Sequence, residues 1–263
     1  MNLMETVKTR RSVRSFDGKK LSAEDLEKLR AFIPTIRNPY DIPVEFVLLD
    51  AEEHGLSSPV ITGETCYVAA MVEKIPHAEE AFGFSFEKLV LYAWSLGIGT
   101  TWIGGTMKRE LFDKAAGLAD GWMMPCVSPL GYPAEKMSIR EAMMRKGVKA
   151  DERKSASELF FDRDFHIPLT EDNPQVADAL EMVRLAPSAV NRQPWRVIRN
   201  GNAYHFYLKH DKGYVGPATG DLQKIDMGIA LCHFISGTDG VLQIQNPGIT
   251  TEAGIEYIAS VTV

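Results

Sequence analysis

The sequence is poor in the features that mark disulfide-bonded, metal-binding and membrane proteins. Its three cysteines, Cys66, Cys126 and Cys232, are far apart, odd in number and outside any metal-ligand spacing. They are expected to be small buried side chains rather than disulfides, metal ligands or nucleophiles. No run approaches the roughly 18 apolar residues that a membrane span needs, and residues 1–11 are too polar for a signal peptide. A cytoplasmic protein is therefore predicted.

Positive charge is also in short supply. The chain has 29 lysines and arginines against 35 aspartates and glutamates, a net charge of −6, which disfavours general binding to nucleic acid or to an anionic membrane. The six histidines are scattered and form neither a His-x-x-x-His nor a Ser/His/Asp pattern, so hydrolase and metalloenzyme functions are disfavoured and no metal site is predicted. We expect a small-molecule partner, and a local basic cluster could still hold one phosphorylated ligand.

One motif occurs twice in the chain. Residues 34–40 read PTIRNPY, an eroded version of PSAVNRQPW at residues 187–195, here called the amide loop. Each copy follows an amphipathic helix pattern, and each helix follows an Arg-x-Phe sequence. Phe16 and Phe165 are 149 residues apart, whereas the asparagines of the two motifs are 153 apart, which indicates a duplication with a four-residue insertion. Such a repeat can form within one chain a site that other proteins assemble at a dimer interface.

The spacing of apolar residues predicts alternating helices and short strands. Helices are predicted at residues 2–10, from Ser22, and at 84–96, 108–116, 174–185 and 225–235. Strands are predicted at residues 44–49, 67–72, 100–103, 126–128, 196–198, 204–208 and 256–261. Helix 84–96 is mostly apolar and should be buried nearly all round. Residues 136–154 are the most charged segment and are predicted to be a solvated connector.

A basic cluster lies near the start of the chain. Arg10, Arg11 and Arg14 place three guanidiniums around the hydroxyl of Ser12 within five residues. Guanidinium forks and hydroxyls match phosphate oxygens, and charge-assisted bonds are roughly twice as strong as neutral ones. Arg153 is a candidate for a second group of phosphate ligands. A solvated basic turn is the simpler explanation of the cluster taken alone.

The amide loop and a glycine-rich exit are suited to a flat ligand. Ser188, Asn191 and Gln193 offer donors and acceptors that can read the edge of a heterocycle. Alternatively, Pro187 ends a helix and the amides bond local backbone. Residues 102–105, WIGG, here called the glycine strip, are either a plain sheet edge or a place where missing side chains let a ring approach backbone N–H groups.

Together these motifs resemble those of the FMN-dependent nitroreductase family. The resemblance rests on RRSxRxF from Arg10, LGIGT followed by WIGG from Leu96, PLGYP from Pro129, RK before EL at Arg153, and APSxxNxQPW from Ala186. It implies an α+β, nitroreductase-like fold with mainly antiparallel sheets flanked by helices. It also implies FMN as cofactor and NAD(P)H as co-substrate.

The order of the motifs departs from that of a typical member. There the APS motif follows soon after the first arginines, whereas here the eroded copy fills that position and the intact copy lies in the second half. The chain is thus similar to a two-repeat branch of nitroreductase-like proteins. We expect residues 1–154, including the connector, and residues 155–263 to be two α/β repeats that form an internal pseudo-dimer with one complete flavin site. The mirror site has lost its glycine turn and any counterpart of Gln193.

The resemblance assigns cofactor-binding roles residue by residue. The residues that would grip the phosphate and ribityl side are Arg10, Arg11, Ser12, Arg14 and Arg153, with Arg140 as the alternative to Arg153. The residues that would cover the flavin from the other repeat are Pro187, Ser188, Ala189, Asn191 and Gln193. The residues that would line the ring near its reactive nitrogen are Trp102, Ile103, Gly104 and Gly105.

The implied reaction is a two-step transfer of reducing equivalents. NADH or NADPH reduces FMN, and a nitroaromatic, a quinone or a similar electron-poor small molecule then takes the electrons. The flavin supplies the chemistry, so no catalytic side chain is predicted. A flavin-binding protein without turnover is the second interpretation, and an interaction scaffold without flavin is the third. The choice between NADH and NADPH stays open, and the internal repeat permits either a monomer or a homodimer.

Overall fold

The computed structural model describes residues 2–263. The helices are α1 (Leu3–Thr9), α2 (Ala23–Phe32), α3 (Ala78–Ser95), α4 (Arg109–Ala116), α5 (Ile139–Gly147), α6 (Ala156–Leu159), α7 (Pro174–Leu185) and α8 (Leu222–Thr238). The strands are β1 (Val44–Asp50), β2 (Cys66–Glu73), β3 (Trp122–Met123), β4 (Val127–Leu130), β5 (Phe160–Asp162), β6 (Trp195–Asn200), β7 (Ala203–Lys209), β8 (Val215–Gly216), β9 (Gly220–Asp221), β10 (Val241–Gln243) and β11 (Ile255–Thr262). Within residues 2–263, no helix has the length and apolar character to cross a membrane.

Capping side chains set where several helices begin. The Ser22 hydroxyl accepts the Asp25 N–H at 3.0 Å and starts α2. Asn173 accepts the N–H of Gln175 and precedes a proline at the first position of α7, where a missing N–H costs nothing. Asp221 accepts the N–H groups of Gln223 and Lys224 and starts α8. Helices α1, α2 and α7, which have such caps, begin within about one residue of their predicted positions, and so does α4, which has no side-chain cap.

The strands form two larger sheets, one in each half of the chain. In the first, β2 lies in the centre and pairs antiparallel with β1, β3 and β4. The second has the order β10-β11-β7-β6-β5, and its pairs are antiparallel except for β5 with β6. The α+β architecture with mainly antiparallel sheets is thus confirmed. The sheets lie on opposite sides of the predicted repeat boundary at residue 154, although that boundary itself stays a prediction.

The two long helices α3 and α8 cross at the centre of the molecule with their backbones in contact. A Cβ atom on Gly83 of α3 would lie 2.1 Å from the Ile225 carbonyl oxygen. A Cβ atom on Gly228 of α8 would lie 2.1 Å from the carbonyl oxygen of Glu80. Only glycine permits such an approach. One hydrophobic core, with Phe86 from the first half and Phe234 from the second among its fully buried members, surrounds the crossing.

Four sequence predictions need correction. Helix α3 begins at Ala78, and α8 extends beyond residues 225–235 at both ends. Asp221 caps the start of α8, whereas α3 begins without a side-chain cap. Residues 100–103 form no continuous strand and make only single bridges, Thr100 with Ser12 and Ile103 with Val127. The supposed solvated connector at residues 136–154 contains α5, whose Glu141 is only 1% exposed.

The three cysteines are free thiols. Cys126 and Cys232 are buried, and burial raises the pKa of each thiol to about 12. Cys66 is partly buried, and burial raises its pKa to about 11. Thiolate is the reactive form of cysteine, so these groups are unsuited to nucleophilic chemistry near neutral pH.

Replacing Gly83 with Ala should strongly destabilise the protein. The new methyl group would overlap the Ile225 backbone, which cannot give way as a flexible side chain would. We expect a loss of about 3 kcal/mol or more in the free energy of unfolding, measured by urea denaturation. Gly147→Ala is the matched control, since no atom lies within 4 Å of its Cβ position and it should be neutral or slightly stabilising. Equal stability of the two variants would contradict the close crossing.

Glu80 at the same crossing should make stability depend on pH. Burial raises its pKa from 4.5 to about 7, and its Oε2 has no hydrogen-bond partner among residues 2–263. A raised folded-state pKa means that wild type loses stability as the pH rises from 4.5 through 7. Relative to wild type, Glu80→Gln should therefore gain up to roughly 3 kcal/mol in unfolding free energy between pH 4 and pH 8. The exposed Glu45→Gln is the control, and a pH-independent difference for Glu80→Gln would refute the assignment.

Candidate functional site

Residues 10–16, here called the arginine arm, leave α1 in an extended conformation and lie against the glycine turn after α3. The Val13 N–H donates to the Thr100 carbonyl at 2.8 Å, and Ser12 forms a parallel bridge with the same residue. Gly99 allows this approach, because a Cβ atom there would lie 2.9 Å from the Val13 side chain. Two motifs that are about 85 residues apart in the sequence are thereby brought together.

Helix α5 fastens the arginine arm from outside. The buried Glu141 carboxylate accepts from the Arg11 guanidinium at 3.0 Å and from the Arg14 N–H at 3.2 Å. Ser138, the N-cap of α5, accepts from the Ser15 hydroxyl at 3.0 Å. Arg11 is therefore occupied by an internal ion pair. The sequence analysis missed this anchor, although Ser138 and Glu141 form a Ser-x-x-Glu pattern of the kind that opens a helix.

Arg10 and Arg14 differ from Arg11 because they lack internal partners. Both guanidiniums are half-buried, and neither forms a side-chain hydrogen bond or salt bridge within residues 2–263. Burial lowers the pKa of Arg10, attraction to Glu87 opposes this, and repulsion from Arg145 adds to it. Burial likewise lowers the pKa of Arg14, with the same repulsion from Arg145. These cations are consequently available to an anionic ligand.

Arg153 connects the arm to the second half of the chain. Its Nη1 donates to the Asn191 Oδ1 at 3.3 Å, and its Nη2 donates to the Leu185 carbonyl at 3.2 Å. Burial lowers the pKa of Arg153, and repulsion from Arg10 is the next cause. The Nε of Arg153 is buried without a partner within residues 2–263. The arginine arm and the amide loop thus lie on either side of one guanidinium.

The charged segment at residues 136–154 carries two further arginines, of which one lies near Arg10, Arg14 and Arg153 and the other does not. Arg145 of α5 is 13% exposed, pairs with the exposed Asp151, and repels Arg10, Arg14 and Arg153. Arg140 is exposed and donates instead to the Pro59 carbonyl. The arginine cluster, as defined from here on, comprises Arg10, Arg14, Arg145 and Arg153. Sequence reasoning missed Arg145 because the segment was taken for a solvated connector.

The amide loop uses its polar side chains to hold the segment before it. Gln193 Oε1 accepts from the Lys154 N–H at 2.8 Å, and Asn191 Nδ2 donates to the Lys149 carbonyl at 2.7 Å. The Ser188 hydroxyl accepts the Gln193 N–H at 2.8 Å and closes the loop. Asn191 and Gln193 have φ angles of 56° and 51°, a conformation that costs non-glycine residues energy. Both amides therefore bond backbone of a distant segment, residues 149–154, as well as each other's neighbourhood, and Asn191 also contacts Arg153. Their role toward a ligand stays a prediction.

A buried carboxyl group on α8 accepts a hydrogen bond from the backbone of the amide loop. Asp226 is 3% exposed, and its oxygens accept the Ala189 N–H at 2.9 and 3.2 Å. Burial raises its pKa well above the ordinary value, against the lowering effect of this hydrogen bond. The sequence analysis did not single out Asp226. Its signal is an aspartate inside a continuous apolar helix, because such residues are seldom buried without a partner.

The glycine strip meets the second half of the chain at α8. A Cβ atom on Gly104 would lie 3.3 Å from the Cys126 sulfur and 3.6 Å from the Leu222 side chain at the start of α8. The Trp102 ring packs against Phe86 with centroids 4.6 Å apart. The indole Nε1 of Trp102 is buried and unpaired within residues 2–263. The strip therefore combines close backbone approach with an unused donor.

The sequence-predicted residues fit a planar anionic cofactor in two respects. Partly buried guanidiniums without partners suit a phosphate, and the orphaned donors of Arg153 and Trp102 suit a polar ligand that is largely withdrawn from water. The roles of the predicted residues in binding such a cofactor stay predictions. A surface cleft of about 690 Å³ lies elsewhere, beside the eroded motif, and is lined mainly by residues 33–47. The Asn38 amide in that cleft is fully bonded to its own turn and to Ser85, so it is not free to bind a ligand.

Comparisons with known proteins agree on one family. The family model described as "Putative TM nitroreductase" matches residues 2–238. The crystal structure of a "putative nitroreductase" from Thermotoga maritima superposes on 100% of this chain and 94% of its own, with a TM-score of 0.65 and 21% identity. A nitroreductase with bound FMN from Bacteroides fragilis matches 53% of this chain and 92% of its own, with a TM-score of 0.43 and 22% identity.

A curated relative carries a similar name. The "Putative NADH dehydrogenase/NAD(P)H nitroreductase" of Methanothermobacter thermautotrophicus is 27% identical over 164 residues, which are 54% of this chain and 82% of that protein. The whole-length superposition confirms the nitroreductase-like fold. The division of the chain into two repeats that form an internal pseudo-dimer stays a prediction. The match over residues 2–238 shows that the chain belongs to the nitroreductase family that this model describes.

Proposed function

We propose that this protein is an FMN-dependent oxidoreductase that transfers electrons from NAD(P)H to an electron-poor small molecule such as a nitroaromatic or a quinone. The observation that carries the proposal is the arginine cluster. Within residues 2–263 the side chains of Arg10 and Arg14 have no partners, and Arg153, which contacts Asn191 of the amide loop, lies close enough to Arg10 for their charges to repel. Concentrating like charges in a partly buried site costs energy. A phosphate bound there would offset that cost.

FMN is the cofactor that these residues suit. Arg10, Arg14 and Arg153 would hold its phosphate, and the glycine strip would lie along its ring system. When bound, FMN supplies the two-electron chemistry that links a nicotinamide to the acceptor. Arg11 contributes indirectly in this proposal, since its ion pair with Glu141 holds the arm in place.

The protein's own groups bind, orient and exclude water in this proposal. Asp226 holds the amide loop on α8 through the Ala189 N–H, and Arg153 contacts the loop at Asn191 from the first half of the chain. Trp102 and Phe86 form an apolar wall beside the glycine strip, and a dry wall strengthens each electrostatic contact in the site. No side chain needs to act as a general acid or base. Because one chain supplies both sides of the site, a homodimer is permitted but not required.

A flavin-binding protein without turnover is the alternative, and the eroded repeat favours it. Arg163, the counterpart of Arg14, is 79% exposed, and among the described residues its side chain pairs with Asp162 alone, at 3.6 Å. Erosion of the mirror site is therefore part of this proposal, and the same process can remove turnover from the remaining site. A silent binder and an enzyme make the same contacts with FMN and differ only in whether NAD(P)H reaches it.

Anaerobic titration separates these two functions. Protein loaded with FMN should lose its yellow absorbance when NADH or NADPH is added, and it should regain colour with a nitroaromatic or quinone acceptor. The spectrum also reports which nicotinamide is used. A yellow protein that neither nicotinamide bleaches would favour the silent binder, whereas a protein that takes up no FMN would contradict both functions.

Arg14→Ala should weaken FMN binding by roughly 10- to 100-fold, since a hydrogen bond to a charged group contributes about 1.5–3 kcal/mol. Titration of the apoprotein, followed by flavin fluorescence, measures this loss. Affinity for riboflavin, which lacks the phosphate, should change little. Arg140→Ala is the matched control, because Arg140 lies outside the arginine cluster. An Arg14→Ala protein that binds FMN as tightly as wild type would refute the assigned role.

A further inference from the structure

Arg109, the first residue of α4, joins two loops by their carbonyl groups. Its Nη1 donates to the Met124 carbonyl at 2.7 Å, and its Nη2 donates to the carbonyls of Gly104 at 2.9 Å and Pro125 at 3.2 Å. The guanidinium is partly buried, and its nearest carboxylate, on Asp113, is 3.9 Å away. Its hydrogen bonds therefore go mainly to backbone carbonyls, and the bond to Gly104 holds the glycine strip in place.

The bond to Gly104 has a consequence for the next residue. The Gly104 carbonyl and the Gly105 N–H belong to one peptide unit, and no peptide bond in residues 2–263 is cis. In a trans peptide the two groups point in opposite directions. The Gly105 N–H therefore points away from Arg109, and it has no acceptor within residues 2–263. A cation bonded to the carbonyl polarises the peptide and strengthens its N–H as a donor.

We propose that Arg109 is a positioning residue that fixes and polarises the peptide between Gly104 and Gly105 toward the cofactor, an inference that rests on the proposed function. Reduction adds negative charge to a flavin ring. A fixed, strengthened donor beside that ring favours the reduced state, so Arg109 raises the midpoint potential of bound FMN. Arg109 lies outside every motif on which the family resemblance rests, and its effect acts through backbone rather than by contact.

The test compares Arg109→Lys and Arg109→Gln with wild type, each loaded with FMN. Lysine keeps the charge but lacks the planar fork that reaches several carbonyls. Both variants should bind reduced FMN at least tenfold more weakly relative to oxidised FMN, which equals a potential lowered by about 30 mV for a two-electron couple. Lys114→Gln is the matched control, since it removes a positive charge from the exposed face of the same helix and should leave the potential unchanged.

Each outcome bears on the inference. A wild-type potential in Arg109→Lys, with a lowered one in Arg109→Gln, would show that charge alone matters and would overturn the role of the fork. Normal potentials in both variants would overturn the inference and leave the proposed function intact. Wild-type protein that binds no FMN would overturn both.

A second measurement serves if an Arg109 variant does not retain FMN. In the apoprotein, the backbone amide nitrogen of Gly105 should resonate further upfield in Arg109→Lys than in wild type or Lys114→Gln, because a Gly104 carbonyl released from the guanidinium polarises its peptide less. Amide resonances elsewhere in α4 should change little if the fold is kept. An unchanged Gly105 resonance would overturn the positioning role.

Discussion

The contact between the backbones of α3 and α8 at Gly83 and Gly228 fixes how the two repeats face each other. Side chains at these positions would push the helices apart, and everything attached to them would separate. Asp226, on α8 close to the crossing, holds the amide loop. The arginine arm follows α1, which packs against both α3 and α7. A crossing made of glycine therefore determines the distance across which Arg153 joins the two repeats.

The arginine cluster shows how the fold sustains a concentration of like charge. Each cation has some compensation nearby, with Glu87 beside Arg10, Glu141 beside Arg14 and Asp151 beside Arg145. The compensation is incomplete, because burial still lowers the pKa of Arg10, Arg14 and Arg153. Carboxylates that fully neutralised the arginine cluster would stabilise the protein without ligand, but they would compete with an anionic ligand for the guanidiniums. Because the cluster is only partly neutralised, its remaining repulsion is an unfavourable free energy that binding of an anion relieves.

Much of the fold could be predicted from signals that are local in the sequence, whereas contacts between distant residues could not be predicted. Helix α7 was predicted with the bounds found, because a cap and a proline mark its start and Pro187 follows its end. The motifs also predicted that the arm, the strip and the loop are parts of one site, which stays a prediction. Three residues that hold these parts in place were missed, namely Glu141, Asp226 and Arg109. Each lies away from its contact in the sequence, by several residues in one case and by more than a hundred in another. Helix α5 was not predicted, because its exposed face is as rich in charged residues as a solvated linker.

The charged segment that ends at residue 154 treats the two copies of the motif differently. At the second copy, Asn191 bonds the backbone at Lys149 and Glu152, so this segment passes directly over the amide loop. At the first copy, the Asn38 amide bonds Ile42, Tyr40 and Ser85 within the described residues, and the segment takes no part. A single segment that runs past one copy of the motif brings its cations to that copy alone. Arg153 therefore contacts Asn191 in the second copy and has no equivalent contact with the first.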